Sequence, residues 1–252
     1  MRLYLVSASI LMLPWLTVLP AMTEDRASIP KSVNRIAASA TILIQTPGSP
    51  GSAVVIKNSS ESCTAITAFH VVESVNEHEY GELIFPGRAS SLELRPDMIS
   101  RVNNTDFAIL RMPESCPVSQ VAILGNPNDV QIGDKLYVAG YSANVSPEVD
   151  RPSYRLVSGV LLSLTEQPDG YSLTYDALTS SGMSGGPIFA SNATLVGIHG
   201  RGETLANTGQ KIAAMGMSVR LARLFPSGSM IESSPLRFIM PLRSAPCPGV
   251  VC

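Results

Sequence analysis

Residues 179–187 read Thr-Ser-Ser-Gly-Met-Ser-Gly-Gly-Pro. Ser184 stands there among Gly182, Gly185 and Gly186, which let a backbone turn where side chains would block it. Such a turn presents a hydroxyl as a nucleophile. It also aims the N–H groups of Gly182 and Ser184 at one point. Each donor of an oxyanion hole built this way is worth about 2.7–4 kcal/mol to a transition state. The plain alternative is an ordinary glycine-rich β-turn. A serine hydroxyl needs a base, and the base needs an acid that orients it. The chain has 3 histidines. His70 closes the apolar run Thr-Ala-Ile-Thr-Ala-Phe-His-Val-Val, the end of a buried strand. His78 lies in the acidic loop Asn-Glu-His-Glu and reads as solvated. His199, in Val-Gly-Ile-His-Gly, fits a base or a pocket residue. Asp106 opens Asp-Phe-Ala-Ile-Leu. A carboxylate at the mouth of an apolar strand is costly unless hydrogen-bonded, and a histidine N–H would satisfy it. Asp97, Asp129 and Asp134 sit in turn-like contexts instead.

Chain order separates two folds. Gly182–Gly186 also fits the G-x-S-x-G turn of α/β-hydrolases, where the acid follows the serine and the histidine follows the acid. No aspartate follows Ser184, and Glu203 and Glu232 both lie beyond His199. The order that remains is His70, Asp106, Ser184.

Groups so far apart in the chain must be positioned by long-range strand pairing. Short β-branched runs recur from Ile36 onward. They predict strands at 41–45, 53–57, 64–69, 107–112, 136–140, 154–164, 173–176, 188–189, 195–199 and 213–219, punctuated by Pro/Gly/Asn-rich turns. A short helix is expected at 218–225. Many strands with 19 Gly and 19 Pro predict an all-β sandwich or pair of barrels. Apolar residues make up 45% and charged residues 15%, against about 25% charged in an average domain. Intrinsic disorder is excluded by that balance. The net charge of −2, without a Lys/Arg-rich stretch, gives no nucleic-acid footprint.

Met1–Ala21 reads as an export signal: Arg2, an apolar run broken by Pro14, then Pro20 and small Ala21. It is short for a membrane anchor, and no stable membrane association is expected after cleavage. Four cysteines suit an oxidising compartment. Cys247 and Cys252 could close a tight loop in Cys-Pro-Gly-Val-Val-Cys, with Cys63 and Cys116 as the other pair. Three connectivities stay open.

The segments Thr-Ala-Phe-His-Val-Val, Asp-Phe-Ala-Ile-Leu and Gly-Met-Ser-Gly-Gly-Pro-Ile-Phe together resemble the catalytic signatures of chymotrypsin-like (trypsin-like) serine peptidases. The order of the three is also that family's. The likeness is to bacterial members, glutamyl endopeptidases and HtrA-like enzymes among them. It implies two six-stranded antiparallel β-barrels with a short C-terminal helix. The active site would lie in the cleft between barrels, with His70 and Asp106 on the first and Ser184 on the second. It divides the chain into signal 1–21, lead-in or propeptide 22–35, peptidase domain 36–228 and extension 229–252. Val71 stands where animal enzymes carry Cys. In this fold the strands ending at His70 and starting at Asp106 are antiparallel neighbours, which would bring Cys63 and Cys116 together at their far ends.

Leu178, six before Ser184, replaces the acidic pocket floor of trypsin, so cleavage after Lys or Arg is not expected. Thr179, five before, and His199, fifteen after, resemble the pair that holds an acidic P1 side chain in glutamyl endopeptidases. A hydroxyl and an imidazole can hydrogen-bond a carboxylate, with charge assistance if the ring is protonated. Gly200, Arg201 and Gly202 would pair with an extended substrate. The resulting expectation is a secreted or periplasmic serine endopeptidase acting on protein or peptide, with no metal or organic cofactor. The alternatives are a noncatalytic binding module on the same fold and an esterase using the same triad.

Overall fold

The computed structural model describes residues 28–143, 152–167, 169–204, 207–209 and 211–220. The expected signal, the 229–252 extension, Cys247 and Cys252, and the helix expected at 218–225 beyond Arg220 lie outside the described residues.

In the N-terminal half, β1 (Thr41–Gln45), β2 (Gly51–Asn58), β3 (Cys63–Ala68), β4 (Gly81–Ile84), β5 (Ser91–Leu94), β6 (Ile99–Arg101) and β7 (Phe107–Met112) form one antiparallel sheet. Its order is β5-β4-β1-β2-β3-β7-β6. The two end strands are joined by the short turn at Pro96–Met98, so the sheet must curl until its ends approach. No ladder joins β5 to β6 among the described residues, and the seam stays open. This half is therefore a curled seven-stranded sheet rather than a closed barrel of six.

The C-terminal half is the expected closed barrel of six: β8 (Lys135–Ser142), β9 (Ser153–Ser163), β10 (Tyr171–Tyr175), β11 (Pro187–Ala190), β12 (Leu195–Thr204) and β13 (Lys211–Ser218). Strand alternation fills it. Tyr171, Leu173 and Tyr175 of β10 point inward while Ser172 and Thr174 are half-buried.

Helix α1 (Lys31–Ala40) covers the end of the expected lead-in 22–35 and the first residues of the expected peptidase domain. Val33, Ala37 and Ala40 bury one face at helical spacing, and the helix touches β2, β8, β9 and β11, bridging the halves. Cys63 and Cys116 form a disulfide with Cα atoms 5.6 Å apart across a separation of 53 residues. Closing a loop of that size stabilises by about 4 kcal/mol in the chain-entropy account.

Candidate active site

β3 and β7 pair in register from Cys63↔Met112 to Ala68↔Phe107. The ladder therefore delivers residues 69 and 70 to the side of Asp106. Phe69 N–H donates to the Asp106 carbonyl at 2.8 Å. The chain then makes the single turn α2 (Phe69–Val72). A helix start leaves N–H groups without acceptors, and Asp106 takes one: His70 N–H donates to Oδ1 at 2.8 Å. The ring Nδ1 of His70 lies 2.8 Å from Oδ2. Tyr171, reaching across from the other half, donates its hydroxyl to the same Oδ2 at 2.6 Å. Burial alone would push the Asp106 carboxyl up, but the hydrogen bond and charge of His70, with the Tyr171 hydroxyl, hold it below its ordinary value. Asp106 is thus an ionised acceptor with no proton to give. In the neutral ring, Nδ1 then carries the hydrogen of their bond and Nε2 keeps the lone pair.

Ser184 comes from the loop before β11. Gly182 and Gly185 hold φ +88° and +83°, the left-handed region that glycine tolerates. Space demands glycine at 185 as well. A β-carbon there would stand 2.0 Å from the Ser52 carbonyl oxygen and 2.1 Å from Thr67 Oγ1. That crowding sets the Ser184 turn directly against the strand that ends before His70. Ser52 stitches the halves further: its N–H donates to the Ser184 carbonyl at 2.8 Å and its hydroxyl to the Gly182 carbonyl at 2.9 Å. The Ser184 hydroxyl itself donates to the Gly200 carbonyl at 2.7 Å, and among the described residues it makes no hydrogen bond to His70. Neither the Gly182 N–H nor the Ser184 N–H has an acceptor among the described residues.

The expected pocket residues differ in their surroundings. His199 is 2% exposed. Its Nδ1 meets the Tyr175 hydroxyl at 2.6 Å, and its ring also bonds the Met215 backbone. Burial, aided by the charge of Lys211, lowers its pKa from 6.5 to about 3. In this environment the ring is neutral, so the charge assistance considered for His199 is absent, and both its nitrogens have partners in the protein. Thr179 is bonded by Lys211, whose Nζ donates to its carbonyl at 2.9 Å and to its hydroxyl. The side chain of Arg201 turns aside, paired with Asp169 at 2.9 Å and stacked 4.1 Å over the Tyr171 ring. Leu178 is exposed. Gly200 lies so close to Tyr171 that a β-carbon would fall 2.1 Å from its hydroxyl.

The neutral His199 has a consequence for stability. Below pH 6.5 the unfolded chain gains a proton on this ring that the folded chain refuses until about pH 3. The contribution is therefore complete above 6.5 and falls as pH drops toward 3, by about 1.4 kcal/mol per unit. Urea unfolding at pH 6.5 and 4.5 is expected to show roughly 2 kcal/mol lost to this group. His199→Gln removes that share of the acid sensitivity; an unchanged loss in the variant places its origin elsewhere.

Tyr171 and Lys211 carry no sequence signal for their places here. Both lie just outside the strands expected at 173–176 and 213–219, in β10 and β13 as found.

A family profile described as trypsin-like peptidase domain matches residues 51–198. The magnetosome formation protease MamE of Paramagnetospirillum magneticum (strain ATCC 700264 / AMB-1) is 26% identical over 151 residues, 59% of this chain and 19% of that protein. This chain thus spans about a fifth of the length of that curated relative. Among solved structures, the HtrA-type protease AlgW with a tripeptide is similar with a TM-score of 0.59 and 20% identity, over 77% of this chain and 60% of AlgW. Deg5 gives 0.56 and 17%, over 77% of this chain and 89% of Deg5. At these identities the structural likeness speaks for the fold.

Proposed function

We propose that this chain, which belongs to the trypsin-like peptidase family, is an exported serine endopeptidase working through Ser184, His70 and Asp106. One observation carries the reading. Asp106 grips His70 by main chain and ring, and the Ser184 turn is packed against the strand that leads into His70. His70 Nε2 takes the Ser184 hydroxyl proton as Oγ bonds to the scissile carbonyl carbon. The Gly182 and Ser184 N–H groups hold the oxyanion. His70 then gives the proton to the leaving amine, the peptide bond breaks, and an ester to Ser184 remains. Water, deprotonated by His70, releases the acid product.

In the resting state the hydroxyl is parked on the Gly200 carbonyl. Turning it to His70 forfeits a hydrogen bond worth about 1 kcal/mol. A substrate strand laid along Gly200–Gly202 donates its own N–H to that carbonyl, compensating the loss and freeing the hydroxyl. The substrate is a protein or peptide cut after an acidic residue, with Thr179 beside the P1 side chain. The tripeptide held by AlgW supports this peptide mode by analogy. Export to the periplasm or beyond follows from the signal-like 1–21 segment, and the Cys63–Cys116 disulfide suits such a compartment. Among the described residues no helix is long and apolar enough to cross a membrane.

A fluorophosphonate probe tests the reading. Labelling of the folded protein at Ser184, absent in His70→Ala, is expected. A folded chain that binds peptides but takes no label is a binding module instead.

A further inference from the structure

We propose that Lys211 is the specificity-determining cation of the substrate pocket, the group that selects Glu or Asp at P1. The inference rests on the acidic-P1 reading above and names the residue that enforces it. Three observations place Lys211 there. Its ammonium donates to both the carbonyl and the hydroxyl of Thr179, the residue five before Ser184. Its stem lies along Gly202, where an added β-carbon would come 3.1 Å from Cε and 3.6 Å from Nζ. Its charge also reaches His199, immediately before the Gly200 carbonyl on which the Ser184 hydroxyl rests. The ammonium therefore stands between Thr179 and Gly202. With a substrate strand laid along Gly200–Gly202 and Thr179 beside its P1 side chain, as read above, the ammonium faces that side chain.

The chemistry at that point asks for an anion. Among the described residues no carboxylate pairs with Lys211. An ammonium has three donors, and Thr179 accepts two of them, which leaves one for a ligand. Thr179 Oγ1, accepting from Lys211, keeps its own proton to donate. A carboxylate entering here would receive one hydrogen bond from the cation and one from the hydroxyl. Burial lowers the Lys211 pKa from the ordinary lysine value, and an arriving negative charge opposes that shift. His199 is neutral and bonded to the protein, so it supports the pocket from behind and supplies no charge.

The test has a binding arm and a turnover arm. In the binding arm, Ser184→Ala protein is titrated with matched peptides carrying Glu, Gln or Leu at P1. Glu is expected to bind tightest. Lys211→Met in the same background is expected to weaken the Glu peptide by about 30-fold and leave the Leu peptide within about twofold. Lys211→Arg keeps the order. In the turnover arm, the wild-type chain cleaves the Glu peptide fastest, and Lys211→Met abolishes that preference while still cutting after Leu. A Glu preference that survives Lys211→Met, or wild-type protein that shows none, overturns the assignment to Lys211. Absence of turnover with the binding preference intact removes the catalytic reading and leaves the pocket assignment standing. Thermal melts of the variants register any loss of fold.

Discussion

Ser184→Ala is expected to lower kcat for peptide cleavage by a factor on the order of 10⁴–10⁶ while KM changes little. The size follows from what is removed. Without Oγ no acyl-enzyme forms, and the His70 base has no proton to accept. What survives is binding along Gly200–Gly202 and the pair of free N–H groups, which together give about 10³–10⁴ over the rate in water. His70→Ala should cost as much, and the double variant little more, because the two groups act as a unit. Folding should be nearly untouched. The lost hydroxyl makes one hydrogen bond, to the Gly200 carbonyl, worth about 1 kcal/mol. Steady-state kinetics on an acidic-P1 peptide, beside a denaturation curve, checks both halves. A Ser184→Ala protein that keeps a tenth of its kcat would move the nucleophile elsewhere.

The parts of this site that were legible in the chain share one property: their signal is local. The Gly-flanked Ser184 turn demands glycine because left-handed φ and the crowding against Ser52 leave no room for a β-carbon. β1 and β7 were legible to the residue because unbroken apolar runs there are bounded by polar turns. β4, β5 and β6 were not. They are three or four residues long, and their sequences Gly-Glu-Leu-Ile, Ser-Leu-Glu-Leu and Ile-Ser-Arg have too short a run for a period to emerge. α1 does carry Val33, Ile36, Ala37 and Ala40 at helical spacing, but the stripe spans barely two turns and runs straight into β1, so it was not separated from the strand that follows. Tyr171 and Lys211 escaped for another reason. Tyr171 reaches Asp106 across the interface of the two halves, while the β12–β13 ladder, through Thr204↔Lys211, sets Lys211 beside the 200–202 segment. Neither role exists until those pairings form. The charge of His199 was not legible either: spacing from Ser184 carries no information on burial, and burial decides its charge.

Asp106→Asn should reduce kcat/KM by about 10⁴-fold while leaving the fold in place. Oδ1 and Oδ2 together accept three hydrogen bonds, from the His70 N–H, the His70 ring and the Tyr171 hydroxyl. An amide has one oxygen and one NH₂, so it cannot accept at both positions. If its NH₂ faces the ring, His70 must shift its hydrogen to Nε2, and the lone pair that should take the Ser184 proton is gone. If its oxygen faces the ring, the NH₂ opposes the His70 N–H. Tyr171→Phe separates orientation from charge. The phenol is held protonated by burial and by the Asp106 charge, so it acts only as a donor. Its removal leaves the carboxylate ionised at neutral pH but deletes one bond to a charged group, worth about 1.5–3 kcal/mol. A loss of roughly tenfold in kcat is expected, with KM unchanged. The sign of the pH effect is fixed. The Tyr171 bond helps hold the Asp106 pKa down, so without it the carboxyl protonates at a higher pH. The Asp106 carboxyl, followed by NMR titration, should therefore protonate at a higher pH in Tyr171→Phe. A carboxyl whose titration stays where it is, with kcat unaltered, would reduce Tyr171 to a residue that fills the barrel.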